Sequence, residues 1–365
     1  PLSITEKSER KGILSALQNR VSTKDRVVFT RQLATLINAG LPLAQSLHTV
    51  RDQTANKKLQ SVAQDIITSI EGGSSLSSAF EKHPSVFDDV FIALVSAGEA
   101  SGTLDKALER IADQQEKDAE IMNKVKGAMV YPAIVSLVMV GVIIFMLVTV
   151  VPQVGKLYKD LRQELPFLTK IMVGAAGFIQ QFWPFVLIAI GVGIYFLRQW
   201  SRTDAGSRAF DSLKLNLPIF GQLFRKLYMA RFTRTAETLM STGVPMLETL
   251  SITQRAVNNS YIAEAGSRAT EKVKGGKALS VALKGEDYIL PLVPQMISIG
   301  EQSGGIDKML SKAATFYENE LDQTIKAIST LIEPVLMVAL AGMAGVMIGA
   351  VLFPIYALVG SGSVR

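Results

Sequence analysis

The chain has 365 residues, 48% of them hydrophobic, and a formal net charge of +6. This length allows two domains of about 100 to 150 residues together with several membrane spans. The basic residues form no stripe, which argues against nucleic-acid binding, and the chain has no cysteine, which excludes disulfides and thiolate metal sites. Because it begins at Pro1 and residues 1–30 are polar and charged, we expect a fragment or a processed chain without a signal peptide.

The same sequence unit occurs twice. The segment from Arg31 to Leu43 reads RQLATLINAGLPL, and the segment from Arg234 to Met246 reads RTAETLMSTGVPM. The offset is 203 residues and becomes 202 after one deletion. Further matching positions are Gly72-Gly73 with Gly275-Gly276, Gly98-Glu99 with Gly300-Glu301, Gly102 with Gly304, and Pro132 with Pro334. A repeat of this length indicates a duplicated domain and not a short-period solenoid.

Three stretches lack charged residues for long enough to cross a bilayer, which takes about 20 residues. Their apolar centres lie at 133–151, 182–197 and 334–358. Buried core helices are the alternative, but an amphipathic core helix would show a polar stripe, and the first and third stretches are apolar on every face. We therefore expect three transmembrane helices.

The duplication also predicts the topology. Two related domains should face the same compartment, because their surfaces evolved for the same solvent. The middle span has no counterpart in the repeat and supplies the additional crossing that this requires. The positive-inside rule slightly favours the cytoplasm for both domains. The predicted order is an N-terminal segment (1–20), a cytoplasmic helical domain (21–131), a transmembrane helix (132–152), a short extracytoplasmic loop (153–178), a transmembrane helix (179–197), a second cytoplasmic helical domain (198–333), a transmembrane helix (334–358) and an extracytoplasmic tail (359–365).

Each domain is predicted to be an antiparallel bundle of about six helices, which makes the chain an all-α membrane protein. Thr23 or Asp25 can cap the first helix. Gly40 fits the left-handed position just past its end, and Pro42 starts the next helix. The stretch Gly98–Gly102 is expected to form another break, after which a long helix runs into the first span.

The first motif follows the pattern Phe-x-Arg-x-Leu-x-x-Leu-x-x-x-Gly-x-Pro from Phe29. It resembles the opening motif of the GspF/PilC family, the inner-membrane platform proteins of type IV pili and type II secretion. Gly-Gly-x-x-Leu, Gly-Glu-x-Ser-Gly-x-Leu and a Tyr-Pro pair entering the first span extend the resemblance over nearly the whole chain. The positions that carry it are Phe29, Arg31, Gly40, Pro42, Gly72, Gly73, Gly98, Glu99, Gly102 and Pro132 in the first copy, and Arg234, Gly243, Pro245, Gly275, Gly276, Gly300, Glu301, Gly304 and Pro334 in the second.

Two departures from the family pattern stand out. Family members commonly begin with a further short N-terminal segment, which this sequence lacks. In the second copy, Ala236 stands where the pattern has a leucine, the counterpart of Leu33. The packing of this helix is therefore expected to differ between the copies.

The resemblance implies a platform in the bacterial inner membrane, with no catalytic activity and no cofactor of its own. In that family the cytoplasmic domains contact a hexameric assembly ATPase, and the membrane part gathers pilin or pseudopilin subunits. We also expect contacts with other inner-membrane assembly proteins and the lipid bilayer, and a homo-oligomer, either a dimer or larger. Type IV pilus assembly is the leading function. Type II secretion is the first alternative because both systems share these motifs, and a membrane transporter or channel and a membrane enzyme are further alternatives.

Catalysis has little support in the residues. The two histidines are His48, expected at or near a helix surface, and His83, expected in a loop. No Walker A motif occurs, since Glu271 stands at the leading glycine of the nearest candidate and Ala278 replaces its Ser/Thr. The energy source is therefore expected in another protein.

Glu99 with Asp105, and Glu301 with Asp307, form a duplicated pair of carboxylates around a glycine break. The structural interpretation places Asp105 in the first turn of a helix and lets Glu99 accept hydrogen bonds from loop amides. A cation site is an alternative, since calcium prefers oxygen ligands, although two carboxylates are few. A contact with the ATPase is another.

Arg31 and Arg234 occupy equivalent positions on an otherwise apolar helix face. We expect each to pair with a carboxylate inside its own bundle, and a partner contact is the alternative. In the third span, Ala341, Gly345 and Gly349 allow close helix approach in a membrane. The spans contain no Asp, Glu, Lys, Arg or His, which argues against a pump or coupled transporter.

Overall fold

The computed structural model describes residues 21–160, 167–218 and 220–360, and this described part of the chain is helical without a β-strand. The expected N-terminal segment 1–20 lies outside the described residues, as do residues 361–365 of the expected tail. The all-α fold predicted from the sequence is confirmed.

The first repeat contains six helices, as expected. They are α1 (Thr23–Asn38), α2 (Leu43–Gln53), α3 (Lys57–Glu71), α4 (Leu76–Glu81), α5 (Asp89–Ser101) and α6 (Leu104–Phe145). Helix α1 is capped by Ser22, and not by Thr23 or Asp25. The Ser22 hydroxyl accepts a hydrogen bond from the Asp25 amide, and the Asp25 carboxylate accepts one from the Ser22 amide. This reciprocal capping box satisfies two amides that a helix start leaves unpaired.

The second repeat reproduces this order. Its helices are α10 (Phe220–Ser241), α11 (Met246–Ala256), α12 (Ser260–Lys274), α13 (Leu279–Leu283), α14 (Leu292–Ser303) and α15 (Ile306–Gly360). Gly40 and Gly243 follow the first helix of their repeats with φ of +84° and +89°. A side chain at these two positions would be strained, because only glycine adopts this left-handed region freely.

Aromatic packing builds the core of the first repeat. The rings of Phe80 and Phe91 lie edge to face with centroids 4.7 Å apart, and Phe87 lies 4.5 Å from Phe80. Phe29, which opens the first family motif, is buried beside Phe87 with their ring centroids 6.0 Å apart. Such pairs contribute about 0.5–1.5 kcal/mol each beyond the burial of their area. Phe232, the counterpart of Phe29, is equally buried in the second repeat.

Among the described residues, three helical stretches are long and apolar enough to cross a membrane, namely Leu104–Asp160, Thr169–Trp200 and Ile306–Gly349. The first continues from α6 through a π-helical turn (Met146–Val150) into α7 (Val151–Asp160). The second lies within α8 (Phe167–Trp200), which α9 (Asp204–Asn216) follows. The three membrane helices expected from the sequence are therefore present.

The expected loop at 153–178 is instead helical over 153–160 and 167–178. Helix α7 buries Val154 and Tyr158 and packs against α8, where Gly155 lies close to Val173. Gln180 of α8 donates a hydrogen bond to the backbone carbonyl of Val148 at 2.8 Å. Packing against a neighbouring helix thus extends both spans beyond their apolar centres.

The chain divides into two compact units. The described residues of Pro1–Asn123 and Phe220–Leu321 form one unit, which contains both repeats, and those of Lys124–Ile219 and Asp322–Arg365 form the other. Helix α9 belongs to the unit with the spans. The second helical domain therefore begins at Phe220 and not at residue 198.

Candidate functional site

Arg31 joins the first and last helices of its bundle. Its Nε donates to Glu116 Oε1 at 2.6 Å, and its Nη2 donates to Glu116 Oε2 at 2.7 Å and to Asp113 Oδ1 at 2.5 Å. These hydrogen bonds raise the pKa of the Arg31 guanidinium above its usual range. The bond from Arg31 lowers the pKa of Glu116. Arg31 is therefore paired inside its own bundle, as expected from the sequence.

The second repeat contains the same ion pair in a more buried form. Arg234 donates through Nε and Nη2 to the two oxygens of Glu318, at 2.8 and 2.9 Å. Glu318 follows Glu116 by the repeat offset of 202 residues. The side chains of Arg234 and Glu318 are 16% and 15% exposed, against 31% and 44% for Arg31 and Glu116. Burial lowers the pKa of Arg234, but the bond and the charge of Glu318 outweigh it and raise the pKa overall.

Glu99 holds the start of the short helix α4. Its carboxylate accepts hydrogen bonds from the Leu76 amide at 2.5 Å and from the Ser77 amide at 2.9 Å, and the Ser77 hydroxyl adds a third at 2.6 Å. A helix start leaves such amides unpaired, so an anion there is favourable. The amides thus belong to a helix start, and not to a loop as expected.

Glu301 repeats this arrangement at the start of α13. It accepts from the Leu279 amide at 2.6 Å and from both the amide and the hydroxyl of Ser280. Asp105 and Asp307 lie in the first turns of α6 and α15, as the structural interpretation proposed. Within the described ranges, no group of three or more His, Asp or Glu could hold a metal ion.

Gly98 lies inside α5, and the break comes only at Gly102, whose φ is +69°. A Cβ on Gly98 would stand 2.6 Å from the Ala107 Cβ. Gly300 is equally constrained, since its Cβ would stand 2.6 Å from the Ile306 Cα. These two glycines therefore allow close crossing of the helices on either side of the break.

Part of the second repeat joins the hydrophobic core of the first, and these residues form a shared core. Helix α5 of the first repeat packs against α10 and α11 of the second. Leu239, Val244 and Ile252 of the second repeat are buried in the same cluster as the core of the first. The sequence pattern alone did not reveal this interface. The spacing of apolar residues shows which face of a helix is buried, but not which other helix covers that face.

Polar contacts surround the shared core. Arg110 donates to the hydroxyl of Ser241, and the Arg110 guanidinium lies 3.6 Å from the Glu237 carboxylate. Gln114 donates to Thr235 Oγ1 at 3.0 Å. These contacts align α6 of the first repeat along α10 of the second.

Two more pairs of charged groups belong to this interface. Arg255 Nε donates to Asp89 Oδ2 at 2.8 Å. The half-buried Asp118 lies near Arg231, and burial raises the pKa of its carboxyl although the charge of Arg231 opposes this. The interface therefore mixes well-paired ions with a desolvated carboxyl.

A polar contact recurs at one pair of equivalent positions with the residue types exchanged. In the first repeat His83 Nε2 lies 3.9 Å from Asp65 Oδ2. In the second, Glu286 occupies the position of His83 and Arg268 that of Asp65, with Arg268 Nη2 and Glu286 Oε2 2.6 Å apart. Lys272 also binds Glu286 at 2.6 Å. A contact between one position in the third helix of each repeat and one just after its fourth helix thus occurs in both repeats, although the residue types differ.

The comparison with known families follows the repeats. Residues 29–152 and 232–354 each match the family described as "Type II secretion system (T2SS), protein F". The chain belongs to the type II secretion system protein F family. Each match runs from the first helix of a repeat into the following span, so the family unit is the duplicated unit.

Relatives in the protein F family come from both pilus and secretion systems. The "Type IV pilus assembly protein PilC" of Thermus thermophilus is 37% identical over 96% of this chain and 87% of its own length. The protein of that name from Myxococcus xanthus is 39% identical over 93% of this chain and 82% of its own. The "Type II secretion system protein F" of Aeromonas hydrophila is 34% identical over 97% and 92%.

Three further positions that the sequence singled out in this protein F family member are His48, Ala236 and Gly345. His48 Nε2 lies 3.1 Å from Glu71 Oε1 at the surface. Ala236 is buried and lines a small pocket together with Phe232, where the first repeat has the larger Leu33. Gly345 of the third span has open space where a Cβ would stand. Because Ala236 is smaller than Leu33, different helix packing at this motif in the two repeats stays a prediction.

Proposed function

We propose that this chain is a non-enzymatic inner-membrane platform that couples a cytoplasmic assembly ATPase to the insertion of pilin subunits during type IV pilus assembly. Helix continuity is the observation that carries the proposal. In both repeats one helix, Leu104–Phe145 or Ile306–Gly360, belongs first to a bundle and then to a span. Pro132 and Pro334 each remove one backbone hydrogen bond where the span begins, but no loop separates the bundle part of the helix from the span. We therefore propose that a rotation or tilt of the bundle part is passed on to the span.

A type II secretion platform is the second candidate. The Aeromonas hydrophila protein F covers the chain as fully as the pilus relatives do and at similar identity. In that case the inserted subunits would be pseudopilins. The same helical linkage would serve both systems.

The proposal assigns no active site to the chain and no ion pathway to the spans. The centres of the spans, at 133–151, 182–197 and 334–358, contain no charged residue. Ion-coupled transport usually places ionisable groups within the membrane. The work of assembly is therefore assigned to nucleotide hydrolysis in the partner ATPase.

The test for coupling uses the full chain in nanodiscs. We expect it to bind the assembly ATPase encoded with its pilin and to change that enzyme's rate of ATP hydrolysis, while the chain alone hydrolyses no ATP. Empty nanodiscs are the control. Hydrolysis of ATP by the chain alone would contradict the proposal. So would a chain that binds neither a pilus ATPase nor a secretion ATPase.

Both repeats are proposed to face the cytoplasm, with the end of α7 and the start of α8 on the other side. Since the chain has no cysteine, single cysteines report on topology directly. Ser74→Cys and Lys277→Cys should resist a membrane-impermeant maleimide in intact spheroplasts and react after lysis. Lys159→Cys should react in both. Labelling of either repeat in intact spheroplasts would refute this orientation.

A further inference from the structure

The interface between the repeats is head to tail. The first repeat contributes helices α5 and α6, whereas the second contributes α10 and α11, the counterparts of α1 and α2. In each repeat, the face equivalent to the one that the other repeat contributes to this interface is therefore left uncovered. The uncovered faces are α1–α2 in the first repeat and α14–α15 in the second.

The site on the second repeat that binds Arg110 has an equivalent in the first repeat. Arg110 binds Ser241 and Glu237, whose equivalents are Asn38 and Ala34. These two equivalents, with Arg31, Thr35, Ala39 and Glu109, line a cleft of about 440 Å³. The first repeat thus has a cleft at the position where the second repeat binds the Arg110 side chain of the first.

The cleft retains an acidic group. Ala34 replaces the carboxylate of Glu237, but Glu109 stands where the second repeat has Ser311. Glu109 Oε2 accepts a hydrogen bond from Asn38 Nδ2 at 2.8 Å, which fixes the carboxylate at the cleft. The acid is supplied by the other helix. The Arg31 guanidinium in the lining is paired with Asp113 and Glu116, so the Glu109 carboxylate is the group of the cleft that suits a cation.

The matching cation lies on the uncovered face of the second repeat. Lys312 is the equivalent of Arg110 and is exposed on α15. Ile299 and Phe316, the equivalents of Ala97 and Gln114, are 50% and 48% exposed. Ile299 and Phe316 therefore provide apolar surface next to the Lys312 cation that a partner can bury.

The opposite face offers apolar surface for Phe316. Gln114 meets Thr235 within the chain, so the equivalent of Gln114, Phe316, would face the equivalent of Thr235, which is Gln32. Val28 lies one helical turn from Gln32 and is 45% exposed. Charge and apolar surface therefore correspond on the two uncovered faces.

We propose that a second copy of this chain repeats the internal interface between molecules. The α14–α15 face of one copy docks on the α1–α2 face of the next, with the Lys312 ammonium in the cleft beside Glu109 and Asn38. Such a heterologous contact leaves one face open at each end, so it builds a ring if the rotation closes. This association does not depend on the proposed coupling to an ATPase.

The test uses engineered cysteines in the cysteine-free chain. Membranes containing both the Asn38→Cys and the Lys312→Cys chains should yield a covalent dimer with a short bis-maleimide, and neither chain alone should. A chain with both substitutions should give a ladder of larger products. Lys58→Cys with Lys277→Cys, at exposed positions away from these faces, is the matched control.

Charge reversal keeps the proposal testable if cysteine at 312 weakens docking. Lys312→Glu and Glu109→Lys should each lower the oligomeric fraction in light scattering at least several-fold, and their combination should restore it. Cross-linking of either single-cysteine chain to itself would show a two-fold contact and overturn the proposal. Absence of any cross-link, together with charge variants that match the unsubstituted chain, would overturn it as well.

Discussion

Gly98 lies so close to Ala107 that a Cβ added to it would stand 2.6 Å from the Ala107 Cβ. The crossing of α5 and α6 therefore depends on the missing side chain. Gly98→Ala should destabilise the repeat by about 1–3 kcal/mol, because overpacking forces neighbouring atoms to move. Thermal denaturation of the detergent-solubilised chain measures this change.

Gly127 supplies the matched control for that substitution. It lies on the same long helix α6, and a Cβ there would meet no atom within 4 Å. Gly127→Ala should raise stability by up to about 1 kcal/mol through helix propensity. Equal effects of the two alanines would show that steric crowding at Gly98 is not the cause.

Loss of the Glu99 charge should loosen the start of α4. In Glu99→Gln, an amide group replaces one oxygen that now accepts from Leu76 or Ser77. We expect a cost of about 1.5–3 kcal/mol, the range for hydrogen bonds to a charged group, and faster hydrogen exchange at those two amides. Ser77→Ala, which removes only the hydroxyl donor, should cost less. Unchanged exchange in Glu99→Gln would contradict the capping role.

The two equivalent ion pairs should differ in strength. Glu318→Gln leaves the mostly buried Arg234 without its main partner, so we expect a loss of about 3 kcal/mol. Glu116→Gln affects the more exposed Arg31, which keeps Asp113, so the loss should be about 1 kcal/mol or less and should shrink with added salt. Denaturation of both variants at low and high salt tests the order, and a reversed order would refute it.

Acid should weaken the second repeat through Glu286. Burial alone would raise the pKa of Glu286, but hydrogen bonds from Lys272 and Arg268 hold it below its usual range. A lowered pKa in the folded state adds stability above the unfolded pKa, and that stability is lost as the pH falls through the folded pKa.

The corresponding measurement compares Glu286→Gln with the unsubstituted chain across pH. The variant should be less stable at pH 7, and the difference should shrink below about pH 5. Glu81→Gln, at an exposed position, serves as the control substitution. A difference that stayed constant down to low pH would exclude Glu286 as the titrating group.

Features that depend on nearby residues were predictable. Gly40 and Gly102 adopt the left-handed conformation expected of residues that end helices, and the break between α3 and α4 lies at Gly72-Gly73. The wrong prediction of the residue that caps α1 has a local cause. Ser22 caps α1 because its hydroxyl and Asp25 bond reciprocally, and neighbouring candidates such as Thr23 look equally suitable in sequence.

For pairings between distant residues, the sequence predicted the type of partner but not which residue it is. The duplication of Arg31 indicated a carboxylate partner, but several acids on the last helix were available, and only the fold places Glu116 opposite it across 85 residues. Arg110 gave no signal at all, because its partner Ser241 belongs to the other repeat. The helical pairing of 153–160 with 167–178 was missed because polar residues there resemble a loop.

The sequence by itself determined the duplication, the helices and the three spans. These follow from side-chain spacing, glycine and proline positions and hydropathy, all of which act over one or two helical turns. The tertiary structure alone decided which faces of the two repeats meet and which faces stay uncovered. Identical helical patterns can pack in several ways, and the choice is made by complementary shape and charge that come together only when distant helices fold against one another.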